Sequence, residues 1–148
     1  MKFLFFREVL LAGTCALVTV SAAQAQQLEA GYWRVMTTQL AKGPAASPPE
    51  IKMRCLTPAE AADPVKTFSP AVSTVNSICE PTEHSLENNY LKWRLQCRGQ
   101  IDMDVAGQFI FESPTRYTAM VMTKATIGHG VVHTSMSTID GERVGACP

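Results

Sequence analysis

Residues 100–113 read QIDMDVAGQFIFES, and the order of apolar and polar side chains in that stretch decides the fold class. Ile101, Met103, Val105, Gly107, Phe109 and Phe111 take alternate positions, with Gln100, Asp102, Asp104, Gln108 and Glu112 between them. Successive side chains of a strand point to opposite faces, so this is a strand with one face on a core and the other in water. Half-solvated strands belong to antiparallel sheets, because parallel sheets are covered on both faces and read as continuous apolar runs. Working outward, YLKWRL (90–95) sets Leu91, Trp93 and Leu95 against Lys92 and Arg94, and IKMRC (51–55) sets Ile51, Met53 and Cys55 against Lys52 and Arg54.

Turn chemistry separates these strands at short intervals. The Pro-rich AKGPAASPPE (41–50) cannot join a ladder. Asn88-Asn89 tolerates positive φ, and SPTR (113–116) and GHG (128–130) punctuate the second half. The pattern predicts strands near 31–40, 50–56, 78–86, 90–98, 100–112, 116–126 and 131–140, with a last extended segment at 142–147. The expected fold is mostly β: an antiparallel up-and-down meander of seven or eight strands curled into a barrel-like or sandwich domain, since a flat sheet would leave an apolar face wet. Trp33, Val35, Trp93, Leu95, Val105, Phe109 and Phe111 are its expected core.

One helix interrupts the strands. In RCLTPAEAADP (54–64), Thr57 is placed as N-cap, Pro58 takes the first helical position and Glu60 stands three residues past Thr57. That is a capping box with an N-terminal proline. Pro64 is expected to stop the helix after one or two turns, too short to be stable alone in water. A disulfide at the adjacent Cys55 would tether it to the sheet.

The first residues, MKFLFFREVLLAGTCALVTVSAAQAQQ, combine basic Lys2 and Arg7, an apolar run and the small pair Ala23 and Ala25. They read as a secretory signal peptide over residues 1–25, leaving 26–148 as a single β domain with no transmembrane segment after cleavage. Cys15 leaves with the signal. Cys55, Cys79, Cys97 and Cys147 remain, and an even count in an oxidising compartment reads as two disulfides. A zinc site would need closely spaced Cys or His pairs, which these cysteines do not form. Chain entropy gives about 3.5 and 4 kcal/mol for Cys55–Cys79 with Cys97–Cys147, and about 3.2 and 4.6 kcal/mol for Cys79–Cys97 with Cys55–Cys147, so it does not separate them. A two-residue turn at Asn88-Asn89 pairs His84 with Trp93 and sets Cys79 and Cys97 on opposite faces, which favours the first pairing unless a bulge intervenes.

Charge excludes some partners. The chain carries 13 basic and 13 acidic residues, without a basic cluster, so neither a nucleic acid nor an anionic membrane surface is an expected partner.

Catalytic constellations are absent from the sequence pattern. His84, His129 and His133 have no Ser or Cys nucleophile motif beside them, and the acids Asp102 and Asp104 read as a solvated strand face. GERVG (141–145) lacks the strand-turn-helix context of a phosphate loop. The expectation is a protein that is not an enzyme and has no cofactor or metal. Methionine is the compositional oddity: Met36, Met53, Met103, Met120, Met122 and Met136 all fall in predicted strands. Thioethers can bind Cu(I), yet Met also fills cores and lines promiscuous apolar pockets, and the latter is the preferred reading. Met53, Trp93, Met103, Phe109, Phe111, Met120 and Met122 are the candidate pocket lining. The function expected is a binding module for a small apolar ligand; the alternative is a structural or protein-interaction module that uses its outer face or a sheet edge.

GYW (31–33), RCLTPAEAADP (54–64), the second cysteine Cys79, KWRLQCRG (92–99) and GERVGAC (141–147) together resemble the small exported bacterial proteins of domain-of-unknown-function family 3617 (DUF3617). The resemblance spans nearly all of residues 26–148. It implies a periplasmic protein of a Gram-negative bacterium with a β-rich fold and no assigned activity, and it supplies no catalytic residues. The segment AKGPAASPPE departs from the family by lacking the methionines often found there, which weakens a copper reading.

Overall fold

The predicted alternation becomes seven strands in the computed structural model, which describes residues 27–40, 47–70, 77–128 and 130–148. They are β1 (Gly31–Gln39), β2 (Glu50–Leu56), β3 (Ser77–Glu87), β4 (Tyr90–Gly99), β5 (Ile101–Ser113), β6 (Arg116–Ile127) and β7 (Val131–Gly145). The leader read at 1–25, the first part of the Pro-rich loop and His129 of the GHG turn lie outside the described residues. The last extended segment is not an eighth strand but the end of β7.

All seven strands join one antiparallel sheet in the order β2-β1-β7-β6-β5-β4-β3. β3 to β7 form the up-and-down meander, and β1 returns to lie beside β7. The sheet is not closed: β2 and β3 are its two edges. The chain must therefore travel from one edge to the other between β2 and β3, about 29 Å at the usual strand spacing. It crosses over one face of the sheet, and that crossing carries the helices α1 (Pro58–Ala62) and α2 (Pro64–Phe68).

The helix start follows the predicted capping box. The Glu60 N–H donates to Thr57 Oγ1 at 3.3 Å, and the Thr57 N–H donates to Glu60 Oε2 at 2.8 Å. The Thr57 N–H, the Thr57 hydroxyl and Arg54, all donating to the Glu60 carboxyl, lower its pKa to about 2 from an ordinary 4.5. A depressed carboxylate stabilises the fold above pH 4.5, and its contribution is lost as pH falls from there toward 2. Thr57→Ala should lower stability by about 1 kcal/mol in urea unfolding at pH 7, and the difference from wild type should shrink across that acid window.

α1 ends just before Pro64, as expected, but a second helix that the sequence reading did not include begins at that proline. Asp63 ends α1 and also caps α2, where its Oδ1 accepts from the Lys66 N–H at 3.0 Å and Pro64 takes the first position. A proline stops one helix and is equally suited to start the next. The second helix brings in Phe68, absent from the predicted core, whose ring centroid lies 5.3 Å from Phe109, 5.6 Å from Phe111 and 4.9 Å from Tyr117.

The core lies between the crossing and the inner face. Trp33, Trp93, Leu95, Phe109 and Phe111 are buried as predicted, joined by Leu28, Leu56, Ala61, Leu91, Tyr117 and Ala119. Val35 and Val105 are only half-buried. The alternation in IKMRC misleads: Trp33 pairs with Arg54 and Val35 with Lys52, so Ile51, Met53 and Cys55 occupy the outer face. Alternation sets two faces apart without saying which one is inward, and at this edge only Leu56 is buried.

Both disulfides form, with the pairing that was not favoured: Cys79–Cys97 and Cys55–Cys147. The turn register is as expected, with Leu86 opposite Leu91 and His84 opposite Trp93, but a bulge between Pro81 and Glu83 inserts one residue. One extra residue reverses the parity of everything beyond it, so Cys79 lands opposite Cys97 on the inner face. The second bridge links β2 to the tail beyond β7, two strands that both pair with Tyr32 of β1. Its Cα atoms are 5.5 Å apart, well under two strand spacings, so the tail leaves the line of β7 toward β2.

Candidate functional site

The bulged edge strand and the second helix leave a cleft between them. Val65, Lys66, Ser69 and Pro70 of the α2 region form one side; Cys79, Pro81, Thr82, Glu83 and His84 of β3 and Trp93, Arg94 and Leu95 of β4 form the other. Its volume is about 750 Å³. Each wall has a local cause. Val65 and Ser69 stand four residues apart, on one side of a helical turn. Pro81 and Thr82 are there because of the bulge. Trp93 is held by its neighbour across the ladder: it pairs with Gly107, and a Cβ at Gly107 would lie 2.2 Å from the indole atoms Cε2 and Cζ2. Only glycine lets that ring lie down on the sheet. Tyr117 lies on Gly141 in the same way, and burial pushes its phenol up to about 12.

The walls are apolar and the rim is charged. Arg94 is bound to Asp104, with Nε to Oδ1 at 2.7 Å, and this pairing holds the Asp104 carboxyl below its usual range. Lys66 and His84 make no ion pair among the described residues. Two polar atoms of cleft residues, Trp93 Nε1 and Ser69 Oγ, are buried without a hydrogen-bond partner among the described residues. Leaving such atoms unmet costs about 1–3 kcal/mol each.

The predicted pocket residues divide between several places. Trp93 lines the cleft. Phe109 and Phe111 lie in the sealed core beneath Phe68. Met103 is half-buried on the inner face, outside the cleft wall. Met53, Met120 and Met122 lie on the opposite face, each about 44% exposed, and Met122 stands opposite Met136 in the ladder. The acids Asp102 and Asp104 also lie on that outer face, tied to the Gly99 N–H and to Arg94 respectively. No group of three or more His, Cys, Asp or Glu among the described residues could hold a metal ion, and no helix among them is long and apolar enough to cross a membrane. The α2 and β3 wall residues escaped the sequence reading because α2 itself did; Asp63-Pro64, a cap followed by a helix-starting proline, was the available signal.

The stretches singled out for family likeness now have places in the fold. GYW places Trp33, whose indole N–H donates to the Glu29 carbonyl at 3.1 Å. Arg143 of GERVGAC donates from Nε to the Ala30 carbonyl at 2.8 Å, while Cys147 closes the long bridge. The family model described as "Protein of unknown function (DUF3617)" matches residues 28–147. The chain belongs to the DUF3617 family. No curated protein and no solved structure matches it. In this DUF3617 chain the residues that carry the likeness are caps, bridges and ring supports of the sheet, so membership conveys a fold and leaves the chemistry to be argued from the cleft.

Proposed function

We propose that this chain is a non-enzymatic binding module of the periplasm that holds a small apolar ligand in the cleft between α2 and the β3–β4 hairpin. The cleft carries the reading: about 750 Å³ is within the usual range for ligand sites, and apolar walls with a few polar groups are their usual make-up. Two disulfides support an oxidising compartment. The test is titration with the neutral dye Nile red. Wild type should bind and enhance its emission. Thr82→Trp, at an exposed bulge position on the cleft wall, should bind about tenfold or more weakly, since filling a site costs about 1–3 kcal/mol, while the thermal midpoint stays unchanged. Undiminished dye binding in Thr82→Trp, or none in wild type, would remove the cleft as the site.

One observation favours the alternative of a protein-interaction module. The outer face exposes Met120 and Met122 beside Ile110, and Ile51 beside Met53. If this face recruits a partner, it does so as a surface and not by strand addition. β2 presents Glu50, Lys52 and Arg54, and β3 presents Glu80, Pro81, Glu83 and Glu87, which are the charges and proline that blunt sheet edges.

A further inference from the structure

We infer that Met120, Met122 and Met136 form a binding site for a soft monovalent metal ion of the Cu(I) class, on the outer face of the sheet and independent of the cleft. Methionines are expected to fill cores or line apolar pockets, and the strands deny these that use. Among the described residues Met103 alone of the methionines faces inward; Met36, Met53, Met120, Met122 and Met136 take the outer face, with Met120 43% and Met122 44% exposed. Three of them are neighbours. Met122 stands directly opposite Met136 in the β6–β7 ladder, and Met120, opposite Thr138, is two residues from Met122 on the same face. Side chains so placed start about 5 Å apart across the ladder, about 7 Å apart along the strand and about 7–8 Å apart on the diagonal. An ion above the middle of that triangle is about 4–5 Å from each Cβ, the reach of a methionine sulfur plus one metal–sulfur bond. On the β5 side Met122 meets the small Ala106 and Met120 meets Gln108, so no charged side chain stands opposite the three. Lys124, two residues beyond Met122, is offset by Asp104 across the ladder. Neutral thioether donors without a carboxylate select a soft ion such as Cu(I) over Zn(II), Mg(II) or Ca(II), which take nitrogen, thiolate or oxygen ligands. The Pro-rich loop at 41–50 plays no part, so its lack of methionine does not count against this site.

The test is Cu(I) uptake by the untagged, disulfide-bonded protein, kept anaerobic with ascorbate and competed against bicinchoninate, with Ag(I) as a second probe in native mass spectrometry. Wild type should take up one equivalent of either ion and none of Zn(II) at the same concentration. Met120→Leu, Met122→Leu and Met136→Leu should each weaken Cu(I) binding by about tenfold or more, since losing even an outer-shell partner of a metal costs about 10–100-fold. Leucine keeps the size and apolarity of the side chain and removes only the sulfur, so the thermal midpoint should not move. Met53→Leu is the control. It lies on the same face but aligns through Arg34 with Glu142, well along β7 from Met136, and should bind as wild type does. No uptake by wild type, or equal uptake by the triple leucine variant, would overturn the site. A loss in Met53→Leu as large as that in Met122→Leu would overturn it too, because binding would then belong to scattered thioethers and not to these three.

Discussion

Replacing Cys55 and Cys147 together by alanine should lower the unfolding free energy by about 4–5 kcal/mol, read as a shift of the urea midpoint under non-reducing conditions. The bridge closes a sequence separation of 92 residues, from the end of β2 to the tail beyond β7, and the chain-entropy relation gives about 4.6 kcal/mol for a loop of that size. Domains of this size have total stabilities of about 5–15 kcal/mol, so the loss is a large fraction of what holds the chain folded. Geometry adds a local expectation. β2 is an edge strand whose only ladder is with β1, and residues Glu50 to Cys55 are all exposed. Without the bridge, its amides should lose hydrogen-exchange protection before those of β5 and β6. A loss under about 1 kcal/mol, or β2 amides still as protected as the central strands, would show that this bridge does not constrain the chain as its place in the sheet implies.

Antiparallel strands and turns were legible because alternation and turn residues are local properties. The alternating stretch at 100–113 became β5, and the neighbouring strands fell within a few residues of their expected bounds. What was illegible depended on distant partners. The parity of Cys79 rests on a single extra residue near Thr82, and nothing in CEPTEH requires a bulge there rather than a regular ladder that merely tolerates Pro81 at a sheet edge. The faces of β2 were reversed for a related reason: Lys52 and Ile51 alternate whichever side is inward, and only the pairing of Leu56 with Gly31 and Arg54 with Trp33 decides it.

The site was less legible than the fold. A cleft between a helix and a bulged hairpin is assembled from α2, β3 and β4, and periodicity describes one segment at a time. Trp93 was found because it is a large apolar residue on an alternating strand; Lys66, Ser69 and His84 look like ordinary polar surface in the sequence. The methionines misdirected the reading in the opposite sense. Met120 and Met122 suggested an apolar interior, but they follow Tyr117 and Ala119 by an odd number of positions and so face the other side of the sheet. The parity of the inward-facing Phe111–Tyr117 pair would have placed them, had that pairing been known.

Gly107→Val should destabilise the protein by about 3 kcal/mol, because the added side chain must occupy space that the Trp93 indole already fills. A Cβ alone would meet Cε2 and Cζ2 at 2.2 Å, and valine adds two methyl groups on a stiff χ1. The obstacle is a buried ring, 6% exposed and in the core cluster with Leu91, Leu95 and Phe109, so relief requires the ring or the β4–β5 ladder to move. Forced overpacking of this kind costs about 1–3 kcal/mol and occasionally more, which lowers the thermal midpoint by roughly 10 °C for a domain of this length. Two controls give the number its meaning. Gly145→Ala, where nothing lies within 4 Å of the added Cβ, should change stability by less than about 0.5 kcal/mol. In a Trp93→Ala background the Gly107→Val penalty should largely disappear, giving a coupling energy of about 2 kcal/mol in the double-mutant cycle. Equal penalties in both backgrounds would mean that Gly107 is required by the backbone and not by the ring. Coupling would instead identify Gly107 as the seat on which a cleft wall rests, and Nile red affinity should then fall in Gly107→Val even under conditions where the variant remains fully folded.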